Sequence, residues 1–103
     1  MRTADVFFRN SLAGKLIEIV QNREYRFIYG KEYSGPPVSL TMPLEQQEYE
    51  YDVFPPFFDG LLPEGYQLEA LLKIKKIDRD DLMSQLLAAG SDTVGAVTIE
   101  EAP

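Results

Sequence analysis

The sequence predicts an α+β fold: an N-terminal antiparallel β-meander of short strands, followed by two helices and a final strand. Three observations carry this reading. In the first half, apolar residues recur with a period of two, as where Tyr25, Phe27 and Tyr29 alternate with Arg26 and Ile28. After a proline-stiffened corner at residues 54–65 (FPPFFDGLLPEG), the period becomes helical, with Leu68, Leu71 and Leu72 on one face. A short β-rich run at residues 94–99 then closes the chain.

The strands follow in order. Residues 5–9 (DVFFR) form a β-rich run closed by Asn10-Ser11. Residues 15–20 set Leu16 and Val20 on one face and Ile17 and Ile19 on the other, and two apolar faces predict a central strand. A polar turn at 21–24 leads into the third run, 25–29, and short connections between the three predict antiparallel pairing. Gly35-Pro36-Pro37 marks a loop. Val38, Leu40 and Met42 alternate with Ser39 and Thr41, predicting a further short strand stopped by Pro43. Tyr49, Tyr51 and Val53 alternate with Glu50 and Asp52, predicting an edge strand with its acids in water.

The corner joins the two halves. Pro55 and Pro56 fix φ and withhold two backbone donors, so no ordinary helix or central strand runs through them. Phe57, Phe58, Leu61 and Leu62 are expected in the core, and Asp59-Gly60 is a turn signal. Pro63-Glu64-Gly65 reads as a helix start. Ile74 and Ile77 extend the apolar stripe of that helix, and Lys73, Lys75 and Lys76 complement its dipole at the C-terminal end. Asp78 is the expected N-cap of the second helix, Leu82, Met83, Leu86 and Leu87 its buried face, and Gly90 its C′ residue.

A length of 103 residues suits one domain, residues 1–103, with a modest core, and 45% apolar content argues against disorder. Ten basic against 17 acidic residues give a net charge of −7, which opposes direct binding to a nucleic-acid backbone. No cysteine is present, which excludes disulfides and thiolate chemistry, and no histidine, which removes the commonest general base and metal ligand. With no signal peptide and no long apolar run, a soluble cytoplasmic protein without membrane contact is expected.

Candidate chemistry is sparse. Asp59 and Glu64 are a conceivable acid/base pair, but a turn and a helix start account for them. Gly90 and Gly95 in GSDTVG have the spacing of a phosphate loop. Ala96 and Val97, however, stand where Lys and Ser/Thr are needed, and a strand follows where a helix should open. Asp78, Asp80 and Asp81 lack EF-hand spacing. The residues thus predict a noncatalytic domain without cofactor or metal.

The run FFDGLLPEG at 57–65, followed after two helices by GSDTVGAVTI at 90–99, resembles the N-terminal subdomain of HipA-type serine/threonine kinase toxins. Gly14 followed by Leu16, the FIYG segment ending in Gly30, and VSLTMPL at 38–44 extend the resemblance over nearly the whole chain. In such kinases this subdomain leads into catalytic lobes, whereas this sequence ends at Pro103 with no room for them. A free-standing copy looks like the small HipS-type antitoxin of tripartite HipBST systems. That likeness implies neutralisation of a HipT-like kinase toxin by protein–protein contact, with a HipB-like DNA-binding protein completing the complex. The alternative is a structural module that completes a HipA-like kinase without inhibiting it. With a kinase partner implied, the corner residues Asp59, Gly60, Glu64, Gly65 and Tyr66 become the candidate contacts. Tyr66 lies about 200° from Leu68 on a helical wheel and is expected to project away from the core stripe.

Overall fold

The computed structural model of the chain describes residues 1–93 and 95–103. Strands β1 (Arg2–Phe8), β2 (Ser11–Val20) and β3 (Glu24–Tyr29) form the expected antiparallel meander, and β4 (Glu48–Tyr51) adds to β3. The last strand, β5 (Val97–Glu101), returns to the far side of β1, giving the order β4-β3-β2-β1-β5. β2 is therefore central and β4 an edge strand, as their patterns predict. Arg9 and Asn10, at φ 48° and 71°, make the two-residue turn between β1 and β2; positive φ at both positions matches the twist of the paired strands. The β-rich run predicted from residue 94 begins as a strand only at Val97, and Val94 lies outside the described residues.

The sheet has one covered face. Ala4 opposes Leu16, which in turn opposes Phe27, so these side chains share a face. They are fully buried together with Val6, Phe58, Met83 and Leu86. The alternate positions Thr3, Ile17 and Arg26 share the opposite face and are half-buried. There Arg26 pairs with Glu50 at 2.8 Å and Lys15 with Asp5 at 2.5 Å.

Residues 38–42 are turns, where the sequence predicts a strand. The Tyr29 hydroxyl accepts from the Val38 N–H (3.0 Å) and donates to the Met42 carbonyl (2.6 Å), doing for this backbone what a strand ladder would do. Val38 and Met42 are buried, while Leu40 is 94% exposed. The alternation came from a loop pinned at both ends.

Three helices follow, where two are expected. The additional one, α1 (Pro56–Asp59), starts inside the corner: Pro56 occupies the first helical position, where no N–H is needed, and Pro55 before it stays extended. Glu64 holds the N-cap position of α2 (Gly65–Lys75) without a side-chain capping hydrogen bond, so Pro63 stands before the helix and not in its first turn. Lys76, at φ 56°, ends it, and the Ile77 N–H donates to the Leu72 carbonyl at 3.0 Å.

α3 (Leu82–Ala89) is capped by Asp81, not by Asp78. The Asp81 carboxylate accepts from the Ser84 N–H at 3.2 Å, whereas Asp78 contributes its carbonyl to the preceding turn. A long-range partner selects Asp81: the Arg2 guanidinium donates to it at 2.8 Å and to the buried Glu18 at 2.8 Å. Burial opposes the charge of Asp81, but hydrogen bonds from Arg2 and Ser84 outweigh it and hold the carboxyl below its usual range. Gly90 has a right-handed φ of −66° and so is not the left-handed C′ residue. Glycine is required there because a Cβ would lie 2.3 Å from the Ile99 Cβ, so the end of α3 presses directly on β5.

Candidate partner-binding surface

The corner is fixed to the sheet by aromatic packing. Phe54 meets Tyr25 edge-on with ring centroids 5.3 Å apart, and Phe58 tilts against Phe27 at 5.7 Å. Phe57 packs edge-on against Phe58, and Leu61 and Leu62, half-buried, lean on the same core. Burial beside the Glu18 carboxylate pushes the Tyr25 hydroxyl up to about 12, so this aromatic floor stays neutral across the physiological range. After α1, the Leu61 and Leu62 N–H groups donate to the Phe58 and Asp59 carbonyls, each at 3.1 Å, turning the chain tightly outward.

All five candidate residues lie on the outside of this corner. Asp59, Gly60, Glu64, Gly65 and Tyr66 are exposed, and Tyr66 retains 95% of its surface. Gly65 opens α2 at φ 59° with open space where a side chain would stand, so its backbone conformation, not crowding, calls for glycine. That conformation sets the direction in which Tyr66 leaves the corner. Neither Asp59 nor Glu64 joins an ion pair among the described residues.

Helix α2 departs from expectation. Leu68, Leu71 and Leu72 are only half-buried, and no residue of the helix is fully buried. Ile74, placed by the sequence on the core-side stripe, is 74% exposed. The helical period is right, but little of the fold sits over it. Ile74 stands about 80° round the helix from Tyr66 and about 60° from Leu71, so its exposure, not its spacing, places it with Tyr66 on the outer side.

The larger groove of the molecule is elsewhere. It measures about 1060 Å³ and lies between the first hairpin and the 30–36 loop, lined among others by Leu12, Lys15, Ile17, Ile28 and Tyr33. None of the five corner residues borders it. Among the described residues, no group of three or more acidic side chains is arranged to hold a metal ion, and no helix is long and apolar enough to cross a membrane. The glycine-spaced segment at 90–95 begins as a 3₁₀ turn, Gly90–Asp92, and leads to a strand. What the corner offers is contact chemistry: an exposed aromatic ring in the first turn of α2, with the exposed carboxylates of Asp59 and Glu64 before it in sequence.

Residues 4–100 match the HipA N-terminal domain family. A curated protein of Haemophilus influenzae (strain KW20 / Rd), described as uncharacterized, is 35% identical over 101 residues, covering 98% of this chain and 93% of that protein. Among solved structures, the "N-terminal domain of HipA toxin" superposes with a TM-score of 0.77 at 30% identity, covering 100% of this chain and 94% of that one. The fold is thus shared along the whole chain, and the chain belongs to the HipA N-terminal domain family.

Proposed function

We propose that this protein is an antitoxin that binds a HipT-like serine/threonine kinase toxin through the corner and neutralises it. A HipB-like DNA-binding protein completes the complex, which acts in the cytoplasm. The observation that carries this reading is Tyr66: an aromatic side chain 95% exposed on a corner anchored by Phe54 and Phe58. A large ring left in water on a rigid support is the kind of group that anchors an interface. The match to the HipA N-terminal domain family supports a kinase as the class of partner, because the resemblance to HipA-type kinases implies a module that accompanies kinase lobes. The Haemophilus influenzae relative, 93% of which is covered by the match, consists of little besides this module. The net charge of −7 favours association with a basic protein surface over DNA.

Two measurements test the proposal together. A HipT-like kinase, sought in the adjacent reading frame, is expressed with and without this protein while growth is followed, and binding of the purified proteins is measured by calorimetry. The expected result is rescued growth and a stable complex. A stable complex that leaves kinase toxicity intact replaces the antitoxin reading with that of a module completing the kinase. Absence of a complex overturns both.

A further inference from the structure

Helix α2 is amphipathic in an unusual sense, because the fold leaves both of its sides incompletely covered. Leu68, Leu71 and Leu72 are half-buried against the rest of the molecule. On the other side Tyr66, Ala70 and Ile74 recur at intervals of four, and all three are exposed, Tyr66 at 95% and Ile74 at 74%. Residues four apart form the ridges by which helices pack into grooves. This ridge has a large side chain at each end and a small one, Ala70, between them, which leaves a notch for a side chain of the opposing surface.

Charge supplies a second, independent observation. Lys73, Lys75 and Lys76 cluster at the C-terminal end of α2, and none joins an ion pair among the described residues. The neighbouring Arg79 is already engaged by Glu69 at 2.8 Å. Asp59 and Glu64 stand at the opposite, N-terminal end. In a chain of net charge −7, these three closely spaced lysines, with exposed Asp78 and Asp80 just beyond them, mark the end of this ridge that favours an acidic counterpart.

Resting on the kinase-binding reading above, we infer that the Tyr66–Ala70–Ile74 ridge lies in an apolar groove of the kinase. Acidic side chains of the kinase face Lys73, Lys75 and Lys76, and basic ones face Asp59 and Glu64. An apolar ridge alone fixes contact but not direction, since a helix fits a groove almost as well when reversed. Opposite charges at its two ends settle the direction, because reversal sets like charges against each other. The inference extends the contact surface from the corner along two further turns of helix and states the chemistry of the surface that receives it.

The test uses surface plasmon resonance with the catalytically inactive kinase, at low and at physiological salt. Ile74→Ser is compared with the parent, and the triple variant K73E/K75E/K76E with R9E/R23E/K31E, which makes the same change in net charge on other exposed positions. Circular dichroism checks the fold, and K73Q/K75Q/K76Q, with R9Q/R23Q/K31Q as its control, replaces the first pair of triples if glutamates at the helix end unwind it. Ile74→Ser is expected to weaken binding about tenfold through faster dissociation. The α2 triple is expected to slow association about tenfold at low salt and less at physiological salt, with a clearly smaller effect from the control triple. Equal effects of the two triples, or parent-like binding by Ile74→Ser, overturn the inference and leave the antitoxin reading standing. A parent protein that does not bind at all overturns that reading first, and this inference with it.

Discussion

The Arg2 guanidinium donates to the Asp81 carboxylate at 2.8 Å across 79 positions of sequence, tying the first strand to the cap of the third helix. Glu18, 3% exposed, accepts from the same guanidinium and takes a second hydrogen bond from the Asn22 N–H at 3.1 Å. Burial works against the charge on Arg2, and the two carboxylates outweigh it, holding its pKa above the usual value. The helix layer is thus latched to the sheet by ions as well as by apolar packing.

The latch sets an acid limit on stability. Because the Asp81 carboxyl is held low in the folded protein, its contribution is complete above about pH 5, where an unfolded aspartate is almost fully ionised, and is lost as pH falls through the folded value. Thermal melts between pH 2 and 7 are expected to show stability declining on the acid side, and the decline should be shallower in Asp81→Asn. Arg2→Ala, which leaves buried Glu18 without its partner, is expected to cost about 2 kcal/mol at pH 7. An unchanged melting temperature in Arg2→Ala would show that the latch is energetically idle.

Leu86 and Leu71 separate core from surface in the helix layer. Leu86 is fully buried beside Met83, so Leu86→Asp is expected to unfold the domain, at a cost of several kcal/mol. Both leucines read as core positions from helical periodicity, but Leu71 is only half-buried on α2, and Leu71→Asp is expected to keep the native fold. Circular dichroism with a urea titration distinguishes the two, and loss of structure in Leu71→Asp would contradict this difference.

Gly90→Ala is expected to destabilise by about 1–3 kcal/mol, since its methyl group must displace Ile99 or the end of α3. Truncating the obstruction should compensate: Ile99→Ala is costly alone, but in the double variant Gly90→Ala should add little. A double-mutant cycle by chemical denaturation reads this coupling directly, and simple additivity would argue against the contact.

Tyr66→Ala is expected to leave thermal stability nearly unchanged, because the ring is 95% exposed. Its expected cost to kinase binding is about 2 kcal/mol, or about thirtyfold in affinity. Calorimetry against the inactive kinase, paired with growth rescue, checks both halves. Parent-like binding would place the anchor elsewhere.

Much of this architecture was written in local pattern. The meander, the central place of β2 and the outward direction of Tyr66 follow from periods of two and of 3.6, because sheet and helix geometry fix which side chains share a face. Features decided by distant partners were not legible. Residues 38–42 alternate like a strand, and only the Tyr29 hydroxyl, nine to 13 positions earlier, makes them a pinned loop. Three aspartates at 78, 80 and 81 are comparable caps locally, and Arg2 at the far end of the chain selects one. The burial of Glu18 in the run KLIEIV depends on that same arginine, a partner that no local pattern shows. At the candidate surface, sequence placed the corner and Tyr66 but put Ile74 on the wrong side, since periodicity reports a helical face and not whether anything covers it.

The strand order has a consequence for how the protein comes into being. β1 is flanked by β2, made next, and by β5, made last, with the Ala102 N–H donating to the Thr3 carbonyl at 3.0 Å. During synthesis the first strand therefore waits with one edge unpaired until β5 has left the ribosome. Pairing of such sequence-distant partners is slow to form, so the sheet is expected to close in a late step that draws α3 onto β5 through the Gly90–Ile99 contact. A nascent chain arrested before Val97 would carry the corner and both longer helices, yet it would present an open β-edge beside the buried positions Ala4 and Val6. Emergence of β5 and protection of that edge are one event.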